Sequence, residues 1–121
     1  MGNVPLIRRF TRAAPGALNV FAFATDDVTG LTFIRVSSNN AILDIVNDPD
    51  PAGGLNYQIR ILKNTIDTGR YFSTFSLSPL SAGRVAVGPI ALSAGDYYFS
   101  VAQTLGGVAA TSFLVKFARA P

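Results

Sequence analysis

Apolar and polar residues alternate along four stretches of this chain. Tyr57, Ile59 and Ile61 fall on one side of an extended segment, with Asn56, Gln58 and Arg60 on the other. Tyr71, Ser73, Phe75 and Leu77 oppose Arg70, Phe72, Thr74 and Ser76. Tyr97, Phe99 and Val101 oppose Tyr98 and Ser100, and Phe113, Val115 and Phe117 oppose Leu114 and Lys116. A period of two marks strands with one buried face. In 41–46 only Asp44 interrupts five apolar residues, which predicts a central strand covered on both sides. No stretch carries apolar residues at the i, i+3, i+4, i+7 spacing of a helix. The pattern predicts eight strands, at 17–24, 31–37, 41–47, 56–63, 70–77, 84–91, 96–103 and 108–118. Turn-forming residues separate them, and Leu105-Gly106-Gly107 between two apolar runs signals a hairpin. Short strands at this spacing predict an all-β sandwich or small barrel. Residues 1–16, with Pro5, Pro15 and no alternation, read as an extended N-terminal arm, leaving 17–121 as a single β-sandwich domain.

Composition narrows the chemistry. Among 121 residues there is no Cys, His, Trp or Glu. That removes disulfides, thiolate metal sites, thiol nucleophiles and the commonest general base. The net charge is +3, and Arg8, Arg9 and Arg12 account for all of it; the body beyond residue 12 is neutral. A nucleic-acid-binding domain usually carries a basic face on its folded part, so the balance argues against nucleic acid as a partner. Arg8-Arg9 and Ala22-Phe23-Ala24 mimic parts of a secretory signal, but Arg12, Pro15, Gly16 and Asn19 break the apolar stretch between them. No run approaches the length of a membrane helix, so no membrane partner is expected.

The segment Leu92-Ser93-Ala94-Gly95-Asp96-Tyr97 resembles the corner before the penultimate strand of immunoglobulin-like domains. The resemblance implies an immunoglobulin-like sandwich of seven to eight antiparallel strands. Tyr97 would bond back to upstream backbone, Leu92 would plug the corner, and Gly95 would form its turn. The Cys pair and core Trp of true immunoglobulin domains are missing. In its Cys-free, Ala/Gly/Ser/Thr-rich β-body, arm and neutral charge, the chain is also similar in kind to capsid decoration (cement) proteins of tailed phages. That similarity implies a small protein seated on a shell, with an arm bridging its neighbours.

Each candidate site has a plainer counterpart. Asp44, Asp48 and Asp50 with Asn47 could offer oxygens to Ca²⁺, but EF-hand spacing is absent and a Pro-stiffened turn explains them better. Asp26-Asp27 reads as the start of a turn rather than half of an acid–base pair. No nucleophile–base set or phosphate loop is present, so no enzyme, cofactor or small-molecule substrate is expected. Phe72, Tyr98 and Leu114 form a candidate contact face. Leu6, Ile7, Arg8, Arg9, Phe10 and Arg12 form a candidate partner-binding arm, with Arg suited to bidentate bonds with carboxylates. The expectation is a structural virion protein made in a host cytoplasm: a decoration protein bridging a major capsid protein and copies of itself. Two alternatives stay open. One is an extracellular carbohydrate- or protein-binding module, the other the major coat protein of a small virus.

Overall fold

The computed structural model describes residues 5–14, 16–47, 56–64, 66–73, 84–105 and 110–119. Their secondary structure is all β. The strands are β1 (Leu6–Arg12), β2 (Ala22–Phe23), β3 (Thr25–Asp26), β4 (Phe33–Val36), β5 (Asn40–Asn47), β6 (Asn56–Lys63), β7 (Ile66–Ser73), β8 (Arg84–Leu92), β9 (Gly95–Leu105) and β10 (Thr111–Phe117). They form two antiparallel sheets, an all-β sandwich as the alternation predicts. One sheet has the order β3-β1-β10-β5-β8. The other has β2-β9-β6-β7, with β4 also paired to β9.

The pairings are nested. β1 pairs with β10, β2 and β4 with β9, β5 with β8, and β6 with β7. The chain is thus one long antiparallel ribbon, folded over so that β10 meets β5 and β9 meets β6. That is the wiring of a jelly roll. In the immunoglobulin arrangement the last two strands are neighbours; here β9 and β10 lie in different sheets. The hairpin expected at Leu105-Gly106-Gly107 would make β9 and β10 neighbours, and they are not. Residues 106–109 themselves lie outside the described residues.

The core sits between the sheets. Phe10, Ile42, Ile45, Phe113, Val115 and Phe117 from one sheet meet Tyr57, Ile59, Ile61, Tyr97, Phe99 and Val101 from the other. Phe10 lies 4.7 Å from Phe99 and 5.9 Å from Phe113, ring centre to ring centre. Phe99 meets Phe113 edge-on at 5.8 Å, which suits the aromatic quadrupoles.

Two expectations change here. Residues 6–12 are not an arm beyond the sandwich. They form β1, paired along its length with β10 and at Phe10 and Thr11 with β3. The alternation is masked in the sequence because Arg8 and Arg12 share the inward side with Leu6 and Phe10, while Ile7 faces out. The apolar run at 41–46 is not covered on both faces. A bulge between Ile42 and Asp44 shifts the phase, so Ile42 and Ile45 both point inward while Asp44 and Val46 do not.

Candidate functional site

The most developed surface feature lies along the β2–β4 rim. Asp26 ends β3 and is fully buried. Its Oδ2 accepts from Arg8 Nη1 at 2.5 Å, and its Oδ1 accepts from the Val28 amide at 2.9 Å. Its carbonyl accepts from Gly30 N, and its own amide donates to Leu31 O, both at 2.8 Å. Gly30 closes the turn at φ 74°, a conformation that side chains rarely adopt. The neighbouring Asp27 faces solvent and accepts from Thr11 Oγ1. The two carboxylates thus point apart, and no acid–base pair forms at this turn.

Beyond the turn, the outer side of β4 meets β9. Tyr98 is flanked by Phe23 at 5.0 Å and Phe33 at 5.5 Å. Arg35 lies 6.0 Å from the Phe33 ring and pairs with Asp96 through Nε at 2.8 Å and Nη2 at 3.3 Å. The hydrogen bond from Arg35 holds the Asp96 carboxyl below the ordinary aspartate range, and Asp96 raises Arg35 in return. The Arg60 guanidinium stacks over Phe21 at 3.9 Å. Between β4 and β1 opens a cleft of about 340 Å³, lined by Arg8, Asp26, Leu31, Phe33, Ile34 and Arg35.

The corner before β9 has its own geometry. Tyr97 Oη donates to Ser93 O at 2.7 Å, and Leu92 is buried beside it. Asn64, at φ 50°, accepts from the Asp96 amide at 2.9 Å and donates its own amide to Asp96 O at 2.6 Å. A Cβ at Gly95 would lie 2.7 Å from Lys63 Cε, whose amine donates to Ser93 Oγ at 2.5 Å.

The remaining sequence candidates are dispersed. Phe10 lies in the core, and Leu6 packs against it. Arg12 is buried and donates to the carbonyls of Ala13 and Val20, clamping the segment that leads to β2. A partner cannot reach Phe10 or Arg12, so those six residues are not one binding arm. Ile7 and Arg9 alone among them face solvent. Phe72, Tyr98 and Leu114 are not one face either. Leu114 on β10 belongs to the sheet opposite that of Tyr98 on β9 and Phe72 on β7. Asp44 stands opposite Lys116 on β10, and Asp48 and Asp50 lie outside the described residues. Among the described residues no cluster of three or more acidic, His or Cys side chains could hold a metal. Sequence reasoning passed over Phe23, Leu31, Phe33 and Arg35. The signal was available in the period-two pairs Phe21/Phe23 and Phe33/Arg35, each too short to stand out.

Comparison with protein-family models, curated proteins and solved structures finds no match.

Proposed function

We propose that this chain is a non-enzymatic structural protein of a virion, a capsid decoration or cement protein that bridges neighbouring shell subunits. One observation carries the reading. Five large apolar side chains are exposed among the described residues, and four of them fall within residues 20–31: Val20 (49%), Phe23 (41%), Val28 (74%) and Leu31 (49%). Exposed apolar side chains gathered in one short segment point to a surface that another macromolecule covers. A body without charge excess offers little repulsion to close packing in a lattice. The jelly-roll wiring is compatible, since viral capsid and lectin domains are both built this way; wiring alone does not choose between them. With β1 inside the sandwich, bridging works through the rim and the outer strand faces. Each copy removes apolar area from water, at about 25 cal/mol per Å², and so raises the cost of parting the subunits beneath it.

Antibodies raised against the purified protein test this on particles recovered from the source culture. Gold label on the outside of intact particles is the expected result. Absence of label from every particle class ends the proposal. The aromatic trio Phe23, Tyr98 and Phe33 favours a second reading, recognition of a sugar ring. A specific hit on a glycan array, lost in Phe23→Ser, would install it instead.

A further inference from the structure

Resting on the proposed bridging role, we infer that the cleft between β4 and β1 seats an acidic side chain of the partner polypeptide, with a neighbouring apolar residue against Leu31 and Phe33. The cleft's volume of about 340 Å³ lies at the small end of the range typical of ligand sites. Its two cations are set for different tasks. Arg8 gives one nitrogen to Asp26 and is held by that bond at the floor. Arg35 is 72% exposed at the mouth and gives two nitrogens to Asp96. Among the described residues, most of the N–H donors of both guanidinium groups therefore have no protein acceptor, although such a group binds carboxylates in a bidentate fork.

The buried Asp26 does not oppose an incoming acid strongly. One oxygen is taken by Arg8 and the other by the Val28 amide, so its charge is paired and its acceptors are used. The walls between the cations are apolar, with Leu31 half exposed and Ile34 buried. The edge of β4 away from β9 has no strand partner among the described residues. Such an edge suits an extended peptide, the recurring mode of strand addition. A polyanion fits less well. Each arginine is already paired with one carboxylate, so the cleft offers hydrogen-bond donors to a single acid but no net positive charge to hold a run of phosphates.

The test is an amide NMR titration of the full chain with acetyl-Leu-Asp-Val-amide and with its Asn counterpart. The Asp peptide should shift Leu31, Phe33, Ile34 and Arg35. The Asn peptide should bind about fivefold more weakly, and Arg35→Ala, a change at an exposed position, should erase that difference. Shifts elsewhere, no shifts, or equal binding of the two peptides overturns the assignment. Inorganic phosphate displacing the Asp peptide at equal concentration would also overturn it, in favour of a free-anion site. Particle labelling is independent of this titration, so a failed cleft and a failed virion role give separate results.

Discussion

The hydroxyl of Tyr97, at the start of β9, donates to the main-chain carbonyl of Ser93 at 2.7 Å. This bond ties the β8–β9 crossing to the core, because the Tyr97 ring is itself buried between the sheets. Tyr97→Phe keeps the ring and removes the bond. A net hydrogen bond of this kind is worth about 0.5–1.5 kcal/mol, so the urea midpoint should fall by that equivalent with the slope unchanged. An unchanged midpoint would show that water replaces the phenol at no cost.

Removing residues 2–12 separates a dispensable arm from an inner strand. Phe10 packs against both Phe99 and Phe113, and truncating such a ring costs about 3–5 kcal/mol. Total stabilities of about 5–15 kcal/mol leave little margin for losing the whole strand as well. The truncated chain should show no cooperative thermal transition. Phe10→Ala should fold, with its stability lowered by the single-residue amount.

The Arg8–Asp26 pair predicts an asymmetry between breaking and replacing. Asp26→Ala strands Arg8 and the Val28 amide and should destabilise by about 3–5 kcal/mol, as for other broken buried pairs. The double change Arg8→Met with Asp26→Leu should recover part of that loss. A double variant no more stable than Asp26→Ala would mean that the turn, through Val28, matters more than the charges.

Asp96 sets a pH dependence of known sign. Arg35 lowers its pKa in the folded chain, so the unfolded chain binds the proton more readily. The pair's contribution is present above the ordinary aspartate range and is lost as pH falls through the lowered value. A carboxyl NMR titration should place the Asp96 midpoint below that of an unpaired aspartate, and Arg35→Gln should move it upward. Because the pair is on the surface, salt should shrink the difference.

What could be seen in the sequence follows from how each strand meets water. β6, β9 and β10 bury clean alternate rows, Tyr57/Ile59/Ile61, Tyr97/Phe99/Val101 and Phe113/Val115/Phe117, and their positions emerge within a few residues. β1 was hidden because Arg8 and Arg12 occupy inward positions at the rim, which periodicity counts as polar. β5 does not show a period of two because its bulge places Ile42 and Ile45 on one face three residues apart. β2 and β3, two residues each, are too short to show any period. The wiring was not legible, since alternation states which face is buried and not which strand lies beside it. The rim site shares that difficulty: Arg8 and Arg35 line one cleft although β1 and β4 belong to different sheets.

The register of β1 on β10 sets Leu6 against Phe117. A polypeptide fused ahead of one therefore emerges beside a polypeptide fused after the other. Tension applied between those two points would act on a single strand pair from its end and part its bonds in succession, like a zipper. Force entering through the rim and outer faces is instead shared as shear across both sheets. A fastener gripped by its sides holds; the same fastener pulled by its two ends peels open.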